Sequence, residues 1–258
     1  MPYPRRVIIY LREKGIDCKM VIVINVSDPQ EGNTAPPEYP PRPAGSLPIL
    51  AIPSKSNDGI VSYTHIRQSL AIMNFLDEVC DAGLHGFPKP KYSMHGTDAL
   101  DRARNMEVLA LADECTSAWN PVRMFGTGAG TMSIPEASKE MIQWVHRLLA
   151  TIEGWWKDRD FLYLRQGRES GPVMAEIVLY QFLEFIHDCY GKDMTKGSGN
   201  TVKDVYGREV VEKYEKLNEF YLAFKVRESA KRDEAAGEVP GEAVLKKMST
   251  WNWTEGSI

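Results

Sequence analysis

Two adjacent polar residues, Gln68 and Ser69, stand at the beginning of a segment with helical periodicity. Its apolar residues recur on one helix face, at Ile66, Leu70, Met73 and Leu76. Gln68 and Ser69 therefore fall in the first turn of the predicted helix, where free backbone N–H groups and the helix dipole favour an anion. The pair predicts a corner of the molecule that favours a carboxylate.

The segment that leads to this corner is a predicted β-hairpin with a proline at its entry. Pro48 precedes an apolar run from Ile49 to Ile52, and a proline is tolerated best at the start of a strand because it has no N–H to donate. Asn57-Asp58-Gly59 predicts a turn, since these residue types tolerate the positive φ of tight turns. Ile60 and Val61 begin the returning strand. Strand, turn, strand and helix are thus expected in succession up to Val79.

This succession resembles the glutathione-binding half of cytosolic glutathione transferases. The family pattern P-x-G-x-x-P-x-L matches residues 43–50, and the pattern [EQ]-S-x-A-I-x-x-[FY]-L matches residues 68–76. The resemblance implies glutathione as the cofactor, a cis peptide before Pro48, and backbone hydrogen bonds from Leu47 to the cysteinyl part. It also implies that Gln68 and Ser69 bind the γ-glutamyl end. The alternative interpretation is that these two residues only cap the helix.

The resemblance implies an α+β fold with a thioredoxin-like N-terminal domain at residues 1–80. An all-α domain at residues 98–226 follows a linker rich in Gly and Pro, and residues 227–258 form a tail. Leu100, Ala103, Met106 and Ala110 recur at helical spacing in the first helix of the all-α domain. Pro121 and the glycines that follow predict that this helix ends in a loop. The two tryptophans of the tail predict that it folds over the groove between the domains or packs at a dimer interface.

The N-terminus departs from the family pattern in two ways. Family members carry a strand before the first helix, and this sequence has no residues for it, so the first strand is expected to be missing. Three alternatives follow: the sheet closes differently, another chain supplies a strand, or the true N-terminus is longer. The β-branched run from Met20 to Ile24 predicts the strand after that helix. Many members read [SC]-P-[YF] at the helix start, where the Ser or Cys activates the glutathione thiol or attacks through its own sulfur. The matching residue here is Met1, whose thioether has no hydrogen to donate.

Tyr3 is the hydroxyl nearest to this position and is the candidate catalytic residue. A hydrogen bond from Tyr3 to a thiolate would lower the pKa of the thiol and enrich the nucleophile. The alternative interpretation is that Tyr3 only lines the pocket. The apolar half of the groove is expected to come from Tyr3, the helix around Met106 and the region from Trp119 to Phe125. A large apolar ligand or an ordinary core would both suit these residues.

The composition limits the classes of function. A net charge of −4 provides no basic surface for nucleic acid, and no apolar run reaches the ~20 residues that cross a bilayer. Cys18, Cys80, Cys115 and Cys189 are too widely spaced for a C-x-x-C motif or a metal site, so no metal is expected. No signal peptide opens the chain. A cytoplasmic protein with reduced thiols is expected.

Three functions remain open. In the first, a glutathione transferase adds the thiolate to an electrophilic carbon of a hydrophobic small molecule. In the second, a glutathione-dependent isomerase adds the thiolate reversibly to a conjugated alkene, which resembles what some fungal natural-product-pathway (secondary metabolism) members do. In the third, a non-catalytic relative binds partners. The resemblance also implies a homodimer, and the retained Pro48, Gln68 and Ser69 favour an enzyme that binds glutathione.

Overall fold

The computed structural model describes residues 2–17, 19–24, 35–87, 89, 92–166 and 171–253. Met1, Cys18 and residues 25–34 lie outside the described residues. The chain divides into two compact units, of which the first holds residues 3–91 and 232–238 and the second holds residues 92–231 and 239–258. None of the described helices is both long and apolar enough to cross a lipid bilayer.

The first unit contains two helices and an antiparallel hairpin. Its elements are α1 (Pro2–Lys14), β1 (Ile49–Lys55), β2 (Val61–Arg67) and α2 (Ser69–Ala82). The turn between the strands closes through a hydrogen bond from the Gly59 N–H to the Ser56 carbonyl (3.0 Å), and Gly59 has a φ of 77°. The predicted hairpin is thereby confirmed. The predicted start of α2 is wrong by three residues, because Ile66 still belongs to β2.

A buried polar cluster joins α1 to α2. Lys14 Nζ lies 2.5 Å from Asp77 Oδ1, and the Tyr10 hydroxyl donates to the same oxygen at 3.0 Å. Burial, together with the Asp77 carboxylate, raises the pKa of Tyr10, so this phenol stays protonated. Removing one partner of such a buried pair typically destabilises a protein by about 3–5 kcal/mol. The cluster therefore fixes the position of α1 on α2.

The predicted strand from Met20 to Ile24 is wrong. Residues 19–24 form a turn followed by irregular backbone, and Ile22 and Val23 are 57% and 58% exposed. β-Branched residues favour a strand only where a neighbouring strand and a buried face receive them. In the described part of the chain, β1 pairs with β2 alone, so this segment has no strand beside it.

The second unit is mainly helical. Its helices are α3 (Ala99–Gly126), α4 (Pro135–Trp155), α5 (Met174–Tyr190), α6 (Glu215–Lys225) and α7 (Glu242–Ser249). A short hairpin of β3 (Thr201–Lys203) and β4 (Glu209–Val211) precedes α6. Nearly every residue of α5 is buried, as expected for a helix whose sequence is apolar almost all round.

Helix α3 does not end before Pro121 as predicted. It continues through this proline to Gly126, and the flanking Trp119 and Val122 are 1% and 0% exposed. Burial of these neighbours offsets the hydrogen bond that the proline cannot make. The predicted apolar side of α3 points outward, since Leu100 and Met106 are 61% and 51% exposed.

Residues 239–253 of the tail belong to the helical unit, and residues 250–252 pack against the glycine-containing loop that follows α3. The Gly128 N–H donates to the Thr250 carbonyl at 2.8 Å, and the Asn252 N–H donates to the Gly126 carbonyl at 2.9 Å. Trp251 Nε1 donates to the Tyr190 carbonyl at 3.1 Å. A Cβ on Gly126 would lie only 2.0 Å from Ser138 Oγ, so the absence of a side chain there allows close packing of α3 on α4.

Candidate functional site

The register of the hairpin brings the two predicted binding segments together. Ile49 lies opposite Arg67, so the residues just before β1 lie beside the residues just after β2. Those residues are Leu47 and Pro48 on one side and Gln68 and Ser69 on the other. The peptide bond between Leu47 and Pro48 is cis, as the resemblance implies.

Gln68 connects β2 to α2 in an unusual backbone conformation. Its φ is 72° and its ψ is 122°. Gln68 and His85 are the non-glycine residues with positive φ in the described part of the chain. Such conformations cost on the order of 1–3 kcal/mol each and persist where the surrounding structure imposes them, often at ligand sites. The strained residue is thus the one that the sequence predicts to bind the γ-glutamyl end of the ligand.

The N-terminus of α2 is available to an anion. Gln68 is the residue that precedes the helix, but it makes no side-chain capping hydrogen bond, and the first turn contains no acidic residue. For Gln68 this argues against the interpretation that the residue only caps the helix. Gln68 is exposed, whereas Ser69 is 3% exposed. Gln68 is therefore more accessible to a ligand than Ser69, although both residues lie at the positive end of the helix dipole.

Two arginines beside this corner, Arg42 and Arg67, were not predicted as site residues from the sequence. Arg42 Nη2 donates to the Gly45 carbonyl at 2.7 Å, and its Nε is buried without a hydrogen-bond partner. Arg67 Nε lies 3.7 Å from the point that a Cβ on Gly45 would occupy. Both cations thus lie close to Gly45, three residues before Pro48. The place of Arg67 directly before Gln68 is a signal in the sequence that could have identified one of them.

Tyr3 lies in the first turn of α1 and is half-buried. The Arg6 guanidinium lies over its ring, 4.9 Å from the centroid, and Arg6 is itself fully buried. A cation over an aromatic face attracts the ring and holds it in place. This contact of Tyr3 lies within α1, whereas Pro48 and Gln68 lie together at the end of the hairpin. The prediction about Met1 concerns a residue outside the described ones.

Trp119 is a core residue and not part of an apolar ligand site. Its ring makes edge-to-face contacts with Phe182, Tyr190 and Trp251, at centroid distances between 5.4 and 6.2 Å. Such contacts account for its burial without a ligand. Met106, predicted to line the same site, is half exposed.

The cysteines that the structure describes do not supply a nucleophile. Cys80, Cys115 and Cys189 are free and buried. Burial raises the pKa of the Cys80 and Cys115 thiols. Because the thiolate is the reactive form, such thiols are inert. Sulfur chemistry by the described cysteines is therefore not expected, and Cys18 lies outside the described residues.

Glutathione transferases resemble this chain in the sequence of its N-terminal part and in fold. Residues 1–79 match the sequence model of the family described as glutathione S-transferase, N-terminal domain. A glutathione S-transferase from Methylobacillus flagellatus KT, solved with GSH bound, is 20% identical with a TM-score of 0.57, covering 93% of this chain and 96% of that one. A glutathione transferase family member from Pseudomonas fluorescens Pf-5, solved with S-(propanoic acid)-glutathione, is 18% identical with a TM-score of 0.54, covering 93% and 95%.

A third similar structure is that of Gtt2 from Saccharomyces cerevisiae, which is 18% identical with a TM-score of 0.50, over 89% of this chain and 94% of that one. No curated protein matches the sequence significantly. Residues 1–79 therefore match the N-terminal domain of glutathione S-transferases in sequence, and the chain has a glutathione transferase fold, with a thioredoxin-like unit and a helical unit.

Proposed function

We propose that the chain is a glutathione-dependent enzyme that acts on a hydrophobic, electrophilic small molecule. The observation that carries the proposal is the uncapped N-terminus of α2, which begins directly after the strained and exposed Gln68. Two of the similar proteins were solved with glutathione or a glutathione conjugate bound. The positive end of α2 and the nearby arginines suit a ligand with carboxylates.

The residues of the chain have separate roles in this proposal. Helix N–H groups and the Ser69 hydroxyl bind the γ-glutamyl carboxylate, and the Gln68 side-chain oxygen accepts from the ammonium group. The backbone of Leu47 binds the cysteinyl part beside Pro48. The sulfur of the bound tripeptide loses its proton to solvent and forms a bond to an electrophilic carbon. The displaced electron pair departs with a leaving group or, for a conjugated alkene, passes into the conjugated system, which takes up a proton from solvent. The Tyr3 hydroxyl donates a hydrogen bond to the sulfur and so favours its deprotonated form.

Isomerisation is the second candidate, and the sequence at the start of α1 favours it. Met1 stands where many family members carry Ser or Cys, so strong activation of the thiol for irreversible conjugation is not provided there. A weaker nucleophile suffices for reversible addition to a conjugated alkene. Rotation about the resulting single bond and expulsion of the same thiolate return glutathione unchanged. An alkene intermediate of secondary metabolism would be a substrate of this class.

Binding to glutathione-agarose combined with a chlorodinitrobenzene assay tests these functions. Retention with conjugation supports a transferase, and retention with negligible conjugation favours the isomerase or a specialised substrate. A chain that is not retained contradicts the proposal and favours a partner-binding protein.

We also propose that the chain forms a homodimer. The outward face of α3 supports this because it exposes Leu100 and Met106 in one stripe with Ala103 and Ala110. Large apolar side chains grouped on one exposed face often mark a protein–protein interface.

A further inference from the structure

A short segment near the C-terminus belongs to the thioredoxin-like unit. Residues 232–238 cluster with residues 3–91, whereas residues 231 and 239 on either side belong to the helical unit. The sequence RDEAAGE gives this segment no apolar residue larger than alanine. Hydrophobic burial therefore does not explain why it lies there, and its polar contacts must hold it.

Glu238 makes these contacts. Its carboxylate accepts from Arg5 Nη1 at 2.8 Å and from Arg12 Nη2 at 2.5 Å. Arg5 and Arg12 are seven residues apart on α1 and so lie on one face of the helix, two turns from each other. The Glu238 side chain is 6% exposed and that of Arg5 is 5% exposed. Charge-assisted hydrogen bonds in such a shielded place are stronger than those at a surface.

The segment is folded so as to present this carboxylate. The Glu238 N–H donates to the Asp233 carbonyl at 3.0 Å, and the Asp233 N–H donates back to Glu238 Oε2 at 3.3 Å. Arg232 Nη1 donates to the Glu238 carbonyl at 3.1 Å. Gly237 has a φ of 70°, which closes the turn before Glu238. We call residues 232–238 the Glu238 clasp.

The clasp acts on the part of α1 that carries the candidate catalytic residue. Tyr3 lies two residues before Arg5, and Arg6, next to Arg5, lies over the Tyr3 ring. The segments that bind the tripeptide in the proposed function lie elsewhere, at the end of the hairpin and the start of α2. A shift at the N-terminal end of α1 would move the Tyr3 hydroxyl and leave Gln68 in place, because the contact of Lys14 with Asp77 still holds the other end of α1 on α2.

We propose that Glu238 is a positioning residue, which fixes α1 so that Tyr3 points its hydroxyl at the sulfur of bound glutathione. This inference rests on the proposed function. It assigns to the C-terminal part of the chain a role in turnover and none in binding of the tripeptide. A misplacement of about 1 Å can lower a rate by as much as 100-fold. We therefore expect Glu238→Gln to lower kcat about tenfold while the dissociation constant for glutathione changes less than about twofold.

The test compares four full-length proteins: wild type, Glu238→Gln, Glu238→Asp and the matched control Glu234→Gln. Glu234 is exposed and lies in the same segment, so its substitution removes the same charge without touching the arginines. Steady-state kinetics with glutathione and chlorodinitrobenzene give kcat, and calorimetry gives the glutathione dissociation constant. Hydrogen exchange measures the protection of the amides of α1. We expect faster exchange in α1 for Glu238→Gln, partial rescue by Glu238→Asp, and wild-type behaviour of the control.

Unchanged exchange in α1 would overturn the proposal, as would an equal loss of kcat in the control. A loss of glutathione affinity as large as the loss of kcat would also overturn it, because that result indicates general damage. Should Glu238→Gln fail to fold, Arg12→Gln removes one of the two arginine contacts of Glu238 at a side chain that is 29% exposed. We again expect a lower kcat with little change in the glutathione dissociation constant. A wild type that binds no glutathione refutes the proposed function. Hydrogen exchange at the amides of α1 then decides separately whether the Glu238 clasp holds this helix.

Discussion

Gln68 has a backbone conformation that few residues other than glycine adopt readily, and it lies between β2 and α2 without capping the helix. A residue under strain of this kind is retained where its side chain is needed. In the proposed site that need is an oxygen that accepts a hydrogen bond from an ammonium group. At the scale of single residues, stability and ligand binding therefore make opposite demands at position 68.

Gln68→Gly should stabilise the chain and weaken glutathione binding. Strain relief on the order of 1–3 kcal/mol exceeds the roughly 0.5–1 kcal/mol lost through the freedom of glycine in the unfolded chain. We expect the free energy of unfolding in urea to rise by about 1 kcal/mol. Gln166→Gly is the control, since Gln166 has an ordinary φ of −89° and its replacement should lower stability. A loss of stability in Gln68→Gly would contradict the argument.

Ser69→Ala should weaken glutathione binding while leaving the fold intact. The variant removes a hydroxyl that bonds a charged group, an interaction worth about 1–3 kcal/mol, or roughly 5- to 150-fold in the dissociation constant. Calorimetric titration with glutathione measures the change. Ser62→Ala, at an exposed position of β2, should bind like the wild type. Equal affinities for Ser69→Ala and the wild type would remove Ser69 from the site.

At the scale of elements, the β3–β4 hairpin depends on one carboxylate. Glu212 follows β4 and accepts from the Tyr214 hydroxyl at 2.9 Å and from Ser198, and it lies 3.0 Å from His146 Nδ1. Burial alone would raise the pKa of Glu212. The hydrogen bonds from His146, Ser198 and Tyr214 outweigh burial and lower this pKa to about 2. The ionised form is thus the one that the folded chain stabilises.

Glu212→Gln should destabilise the chain near neutral pH and have little effect in acid. Because the folded pKa lies below the unfolded value of 4.5, the stabilisation is complete above pH 4.5 and is lost as the pH falls towards 2. The shift corresponds to up to about 3 kcal/mol at pH 7. Urea unfolding at several pH values between 7 and 3 measures it, with the exposed Glu209→Gln as the control. A difference from wild type that stays constant across this range would contradict the assignment.

Sequence patterns predicted the elements whose signals are local. The turn at residues 57–59 and the polar pair at the start of α2 depend on residue types within a few positions of one another. The errors concern partners distant in sequence. Residues 20–24 have strand propensity but no neighbouring strand among the described residues, and α3 continues past Pro121 because its neighbours are buried. The role of Glu238 has no local signal in the sequence, because its arginine partners are more than 220 positions away.

At the scale of the whole molecule, one exposed face of α3 is relevant to the proposed homodimer. This is the face that carries Leu100 and Met106 and was expected to be the apolar side of the helix. The core face of α3 is formed by other residues, including Val108, Ala112 and Trp119, each no more than 5% exposed. Leu100 and Met106 are therefore not needed for the helical core. Their exposure is unfavourable in an isolated chain and is relieved if a second copy covers them.

Met106→Glu should convert the proposed homodimer to a monomer with an intact helical unit. A charge on the α3 face would have to be desolvated in the interface, where it has no partner, and each buried unpaired charge costs several kcal/mol. Sedimentation equilibrium over a range of concentrations measures the association. Met132→Glu makes the same substitution at a methionine that is also 51% exposed but lies outside α3, and it should remain dimeric. A monomeric wild type, or equal dissociation of both variants, would exclude this face as the interface.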